Sequence, residues 1–282
     1  MALNPTTTRD AAKAFAPDLV AFTPQEAVPE ALILKASTVV SQSGIGDAPS
    51  VLVPWVREES ATWAAEGAEL DLTPPGLSQV QINVRKVTQF FTVSNELWNA
   101  EAANNPEVLS TSSMRAVTKA ANTAFVQGVA TAANPLVGIA NTEGIIEGGN
   151  ITTSLDPLAD SIAQIEANGG APSVILANPI AWGRLRNLKT ATNANTSLLG
   201  AGTEDQGKRL FGIEVITSAA VPEDQMVIID KNSIASVVSQ VDVAVSEHAA
   251  FRNDSTALRT TWRLGWAVQH PDRLATITVG AA

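Results

Sequence analysis

The chain has 282 residues, of which 45% are hydrophobic, and a formal net charge of -10. This composition supplies a substantial core, in one large domain or two smaller ones, and excludes a disordered chain. Because there is no cysteine and there are only two histidines, disulfides and thiolate chemistry are excluded and few groups remain for acid–base catalysis. The acidic balance argues against nucleic-acid binding over the whole surface. No apolar run is long enough to span a bilayer.

Residues 1–50 are predicted to form an N-terminal arm and a linker. Prolines interrupt any long helix here and favour an extended course. They are Pro17, Pro24 and Pro29. The apolar residues of the arm are too few for a core of their own, so we expect them to lie against another part of the chain or another subunit. They are Phe15, Leu19, Val20 and Phe22.

Residues 51–86 are predicted to form an extended loop. Strand patterns at 51–57 and 77–86 flank an acidic connection with Trp63 in it. Its carboxylates belong to Glu58, Glu59, Glu66, Glu69 and Asp71. A two-stranded ribbon is marginal alone in water, so we expect it to need an outside surface. The apolar residues change parity at Lys86 and Val87, which predicts a bulge or a sheet boundary.

A long helix is predicted at about 105–130, with Asn105 as N-cap and Pro106 at its first position. Residues 150–240 read as a mixed α/β unit. Its helices begin near Asp156 and Asn178, a buried strand lies at 173–177, and a polar loop follows at 189–208. Further strands are predicted at 211–217, 226–229, 235–239 and 241–245.

The segment 258–279 is predicted to form one long strand with two different faces. One face carries Trp262 and Trp266, and the other carries Arg259 and Arg263. Guanidinium groups spaced along a sheet are suited to contacts with carboxylates of another molecule. The alternative is a solvated charged face, and this segment alone does not decide between them.

Candidate catalytic motifs are weak. Residues 44–46 (Gly-Ile-Gly) lack the rest of a dinucleotide loop. The sequence has no Gly-x-Ser-x-Gly nucleophile elbow with which His248 could form a hydrolytic site. His270 and Asp272 would supply at most two ligands of a metal site. We interpret the acidic residues of the loop as an exposed loop tip; the alternatives are a divalent-cation site and a pair of glycosidase carboxylates. We therefore predict no catalytic residue, cofactor or metal.

The order of segments resembles the major capsid proteins of tailed bacteriophages, the Hong Kong 97 fold. The matching residues lie at 93–97 before the long helix, 135–139 after it, 210–216 in the middle, and at Arg259, Arg263 and Pro271 near the end. Each match alone is weak, and their order over about 250 residues is more specific.

The resemblance implies an α+β fold with an N-terminal arm, an extended β-hairpin loop, a peripheral domain with a long spine helix, and an axial α/β domain. The peripheral domain would comprise 87–149 and 241–282, and the axial domain 150–240. In that family the subunits form hexamers and pentamers, the loop lies over a neighbouring subunit, and the icosahedral shell encloses double-stranded DNA.

Two family features differ in this sequence. Some members join subunits through an isopeptide bond from a loop lysine, whereas residues 57–84 contain no lysine, so such a cross-link is not expected. Some members begin with a long scaffolding segment, whereas the arm here starts almost at Met1, so a separate scaffolding protein is expected.

The resulting expectation is a non-enzymatic major capsid protein of a virion, assembled in the host cytoplasm. Its expected partners are other copies of itself, nonspecifically held double-stranded DNA, a portal protein, a scaffolding protein and, optionally, a decoration protein, with no membrane. The alternatives are an encapsulin-type compartment shell and, ranked lower, an α/β hydrolase-like enzyme. The predicted intersubunit contacts are Arg57, Glu58, Glu59, Glu66, Glu69, Arg85, Lys86, Arg259 and Arg263.

Overall fold

A computed structural model describes residues 19–41, 49–56, 63, 77–98, 105–131, 135–190, 197–199 and 207–280. The helices are α1 (Pro24–Ala27), α2 (Leu32–Ala36), α3 (Asn95–Trp98), α4 (Asn105–Gln127), α5 (Asp156–Ala167) and α6 (Pro179–Asn187). The strands are β1 (Leu19–Phe22), β2 (Thr38–Ser41), β3 (Ser50–Val56), β4 (Leu77–Asn83), β5 (Arg85–Ser94), β6 (Ile146–Ile151), β7 (Val174–Ala177), β8 (Arg209–Leu210), β9 (Ile213–Thr217), β10 (Gln225–Ile229), β11 (Ile234–Ala250), β12 (Ser255–Val268) and β13 (Leu274–Val279). Helices and strands thus combine in the expected α+β fold.

The strands form two main sheets and a separate hairpin. A 5-stranded sheet has the order β1-β11-β12-β5, with β2 also paired to β11. A 6-stranded sheet has the order β6-β13-β10-β7-β9-β8, and β3 pairs with β4 alone. The hairpin β3–β4 is therefore a two-stranded ribbon that pairs with neither of the main sheets.

One hydrophobic core lies between the two sheets and the long helix α4. The inward residues of α4 include Val117, Ala121 and Phe125, all buried. In the 6-stranded sheet, Val227 and Ile229 face this core while the alternate residues of β10 face a second core under α5 and α6. Strands buried on both faces have continuous apolar sequences, which explains the apolar runs at 174–177 in β7 and 226–229 in β10.

The prediction of a single strand over 258–279 is wrong. β12 ends at Val268, a 3-10 turn occupies Pro271–Arg273, and β13 then joins the other sheet between β6 and β10. Proline has no backbone N–H to donate to a ladder, so the pairing stops there. The last strand of residues 241–282 consequently pairs within the sheet built mainly from residues 146–229.

Three other boundaries differ from the sequence predictions. The strands predicted at 235–239 and 241–245 are one strand, β11, in which a bulge between Val238 and Val241 interrupts the register. The expected sheet boundary near Lys86 lies at Val84, where the hairpin ends and β5 begins. The arm is not extended throughout, because Pro24 takes the first position of α1 and α2 follows. Proline is tolerated there since that N–H needs no intrahelical partner.

Candidate assembly interface

The two faces of β12 have different surroundings because successive side chains of a strand point to opposite sides. Its even-numbered residues form the inner face, which packs on α4. The rings of Phe125 and Trp266 meet edge to face with centroids 5.3 Å apart, and Ser113 Oγ donates to Thr260 Oγ1 at 2.7 Å. Trp262 is fully buried. The tryptophan face of β12 therefore packs against the long helix.

The odd-numbered residues of β12 lie on the outer face of the sheet, and the base of the hairpin covers part of that face. Val53 and Ile82 of the hairpin pack with Ala235 and Val237 of β11 in one apolar cluster. Gly265 lies opposite Val237 and is buried. The absence of a side chain there lets the hairpin backbone approach the sheet closely.

The remainder of the outer face carries a basic and aromatic surface, which we call the cationic face; it is exposed along β5 and at Arg259, and half-buried at Thr261 and Arg263. It consists of Lys86, Thr88, Phe90 and Thr92 of β5 with Arg259, Thr261 and Arg263 of β12. The register places Lys86 opposite Arg263, Thr88 opposite Thr261 and Phe90 opposite Arg259. Three of the four predicted contact residues in the described part of the chain therefore share one surface.

Arg85 is the fourth, and it does not share the cationic face. It pairs with Leu264, a residue of the inner face, and lies exposed at the start of β5. The other predicted contacts lie outside the described residues: Arg57, Glu58, Glu59, Glu66 and Glu69. Trp63, in the middle of that acidic segment, is fully exposed.

The electrostatics of the cationic face favour an anionic partner. Lys86 and Arg263 are like charges directly opposite each other, an arrangement that destabilises a sheet. On β11 the same face offers Asp242, which lies opposite Thr261 and is half-buried. Among the described residues of these three paired strands, this face thus carries Lys86, Arg259 and Arg263 together with the carboxylate of Asp242. A surface of this kind is suited to carboxylates supplied by another molecule.

Phe90 is a residue of this surface that the sequence analysis missed. Its side chain is 62% exposed although it is a large apolar group. The signal was present in the sequence, since Phe90 falls on the same parity as Lys86, Thr88 and Thr92, the polar side of β5. An aromatic residue in a polar row indicates a contact surface.

The side chains considered for catalysis are not assembled into a site. His248 is exposed on β11, and His270 Nδ1 lies 3.9 Å from Asp272 Oδ1, with the aspartate 53% exposed. In the described part of the chain, no group of three or more histidine, aspartate or glutamate residues is placed to hold a metal. Residues 44–46 lie outside the described residues. No described helix is long and apolar enough to cross a membrane.

The fold is that of viral capsid subunits. The capsid of an empty GTA particle superposes with a TM-score of 0.69 at 17% identity, over 89% of this chain and 90% of that chain. The structure from Gordonia phage Cozz superposes with a TM-score of 0.68 at 15% identity, over 89% of this chain and 87% of that chain. The structure from Microbacterium phage Oxtober96 superposes with a TM-score of 0.65 at 15% identity, over 98% of this chain and 100% of that chain. The resemblance to the Hong Kong 97 fold is thereby confirmed.

The sequence itself identifies the family. The model of the phage capsid family matches residues 25–279, and the chain belongs to this family. No curated protein matches the sequence. The protein is accordingly a structural, non-enzymatic component of a capsid shell.

Proposed function

We propose that this protein is a major capsid protein that assembles through hexamers and pentamers into an icosahedral shell around double-stranded phage DNA. In this arrangement 1–50 form the arm and linker, 51–86 the extended loop, 87–149 and 241–282 the peripheral domain, and 150–240 the axial domain, whose sheet is completed by β13 from the end of the chain. Assembly takes place in the host cytoplasm with a portal protein and a separate scaffolding protein, and with a decoration protein where one is present. DNA contact is local and nonspecific, in keeping with the acidic net charge.

The observation that carries this proposal is the hairpin on the outer face of the 5-stranded sheet. Its base is anchored through Ile82, which is fully buried, whereas Leu52 in its other strand is 60% exposed. A two-stranded ribbon with an exposed apolar side chain gains stability when it lies on a second surface. A neighbouring subunit in a closed shell supplies such a surface at every position.

The contacts that we propose between subunits are ion pairs between the acidic loop and the cationic face. Glu58, Glu59, Glu66 and Glu69 supply carboxylates, and Lys86, Arg259 and Arg263 supply cations, with Arg57 and Arg85 at the margins. Each exposed pair contributes about 0–1 kcal/mol, and a shell repeats each pair in every subunit. Residues 57–84 contain no lysine, so an isopeptide cross-link from a loop lysine is not part of the proposal.

Electron microscopy of the purified protein over a range of concentrations tests the assembly proposal. Closed shells or capsomers are expected to appear as concentration rises, and monomers dispersed at every concentration would refute it. Particles isolated from infected cells should contain DNA that resists nuclease. A protein cargo without DNA would instead support the encapsulin-type alternative.

Charge reversal tests the proposed ion pairs. The double variant Glu66→Arg, Glu69→Arg should lower the yield of shells and increase the sensitivity of the remaining shells to salt, because screening acts on exposed charge pairs. The matched control is Glu143→Arg, which reverses one exposed charge in a loop outside the proposed contacts. Unchanged yield in the double variant would rule out a role for these carboxylates.

A further inference from the structure

We propose that a lysine-lined cavity beside β9 binds linked phosphoryl groups. The cavity has a volume of about 580 Å³ and lies between α2, the segment before β8, β9 and the turn that follows β10. Three lysines reach it from distant parts of the chain: Lys35, Lys208 and Lys231. The ligand is a chain of phosphates, which either a nucleic-acid backbone or a free polyphosphate supplies. The site goes beyond the proposed function, because its lining belongs to a single subunit and does not require a shell.

Lysine is concentrated at this cavity. The lysines of the chain are Lys13, Lys35, Lys86, Lys119, Lys189, Lys208 and Lys231, and three of these seven line the cavity. Among the described residues of the lining, Glu214 is the only carboxylate. Three ammonium groups and one carboxylate give a formal charge of +2, whereas the chain as a whole carries -10. A concave site whose charge is opposite to that of the rest of the protein concentrates anions.

Strand pairing brings the three lysines together. β2 pairs with β11 in parallel, and Thr38 Oγ1 donates to the carbonyl oxygen of Lys231 at 3.0 Å, so the end of α2 lies beside the turn that carries Lys231. In the other sheet β7 lies between β10 and β9. The Val215 N–H donates to the carbonyl oxygen of Lys208 at 2.8 Å, which holds Lys208 against β9. The lysines are therefore positioned by backbone hydrogen bonds of the fold.

The ammonium groups of this cavity are available to an anion. Lys208 Nζ donates to Thr217 Oγ1 at 2.7 Å, which fixes one ammonium at the cavity wall and leaves its other N–H groups to donate elsewhere. In the part of the chain that the structure describes, no carboxylate lies within 4.0 Å of any of the three ammonium groups. Glu214 lies directly opposite Arg209 of β8, and opposite charges in that position attract each other. Lysine binds phosphate as a point charge, so the cavity suits phosphoryl oxygens.

The length of the cavity favours several linked phosphates over one. Its wall follows β9 from Glu214 to Thr217, about 10 Å at the usual rise of a strand. Lys208 Nζ lies at the Thr217 end. The Lys231 N–H donates to Ser173 Oγ at 3.1 Å, and Ser173 leads into β7 next to the Glu214 end of β9. Lysines that approach from both ends suit a ligand that carries negative charge along its length.

Calorimetric titration of the full-length protein with sodium tripolyphosphate tests the site. Binding should be saturable and should weaken as salt is added, because the contacts are electrostatic. The double variant Lys208→Gln, Lys231→Gln should raise the dissociation constant at least about tenfold, whereas Lys208→Arg, Lys231→Arg keeps both charges and should retain binding. The matched control is Lys86→Gln, Lys119→Gln, which removes two exposed lysines outside the cavity and should leave the dissociation constant unchanged. Urea unfolding confirms that each variant is folded.

A second measurement distinguishes the two sources of phosphate. Fluorescence anisotropy with a short labelled DNA duplex measures binding to nucleic acid, with tripolyphosphate added as a competitor. If tripolyphosphate displaces the duplex, and the Lys208→Gln, Lys231→Gln variant makes the dependence of log K on log salt less steep by about 2, the cavity takes backbone phosphates. If tripolyphosphate binds while duplex binding does not depend on these lysines, the source is a free polyphosphate. Either result supports the phosphate site.

The phosphate site is refuted if tripolyphosphate shows no saturable binding. It is also refuted if the cavity variant and the Lys86→Gln, Lys119→Gln control lose affinity equally, because net charge alone would then account for the binding. Either result would leave the proposed capsid function standing, since assembly does not enter the measurement. Conversely, if the protein forms no shells but binds tripolyphosphate as expected, the proposed function fails and the phosphate site stands.

Discussion

Replacing Gly265 by alanine should release the base of the hairpin from the sheet. A Cβ atom at this position would overlap the carbonyl oxygen of Asn83 and lie 3.0 Å from Ile82 Cγ2 and 3.1 Å from the Asn83 carbonyl carbon. A backbone carbonyl cannot rotate out of the way as a side chain can, so the hairpin itself must move. Overpacking of this kind costs about 1–3 kcal/mol.

The upper limit follows from complete detachment of the hairpin base. Val53, Ile82 and Val84 are buried in the cluster under the hairpin. Exposing three such side chains costs about 1.5–3 kcal/mol each, or about 4.5–9 kcal/mol in total, on the area-transfer scale. We therefore expect the free energy of unfolding to fall by at least about 1 kcal/mol and by no more than that total.

Urea unfolding of the unassembled subunit measures this change, and amide hydrogen exchange in residues 77–83 reports on the hairpin separately. Gly183→Ala is the matched control. A Cβ at Gly183 meets nothing within 4 Å, and its interior position in α6 predicts stabilisation by about 0.5–1 kcal/mol. If Gly265→Ala changes neither the free energy of unfolding nor the amide exchange rates of residues 77–83, the close approach at Gly265 does not hold the hairpin on the sheet.

Two further predictions concern buried hydrogen bonds. Ser113→Ala leaves the buried Thr260 hydroxyl without its hydrogen-bond partner, so the free energy of unfolding should fall by about 1–3 kcal/mol in urea unfolding. Adding Thr260→Val should recover most of this loss, because the double variant has no unpaired hydroxyl at this position. Asn178→Ala removes both the cap acceptor for the Ile180 N–H and the donor to the Val221 carbonyl, and should cost about 2–4 kcal/mol in thermal or urea unfolding. Asn178→Asp keeps the oxygen that accepts from the Ile180 N–H but loses the donor to the Val221 carbonyl. If both variants lose the same free energy of unfolding, the effect is assigned to the hydrogen bond to Val221.

Local patterns predicted the elements whose signals lie within a few residues. Pro106 and the apolar spacing that includes Val117, Ala121 and Phe125 were sufficient for α4, which begins at Asn105 as expected and ends at Gln127. The alternation of Trp262 and Trp266 against the arginines predicted both faces of β12. In each case the period of the sequence equals the period of the structure.

The errors arose where pairing depends on distant parts of the chain. β6 was missed because Gly148 and Gly149 weaken its strand pattern, and a Cβ at Gly148 would lie 2.8 Å from Ile277 Cγ1 in the neighbouring strand. Likewise, nothing local assigns β13 to a position between β6 and β10. The cationic face was found only in part, since the register that brings Phe90 opposite Arg259 depends on pairing between residues more than 160 positions apart.

The shared core between the two sheets has a mechanical consequence. Val227 and Ile229 of one sheet, and Val241 and Leu264 of the other, belong to the same buried cluster, and only Asp230–Ser233 separate β10 from β11. Close-packed interiors have low compressibility and transmit strain. A load on one sheet is therefore passed to the other through this shared core.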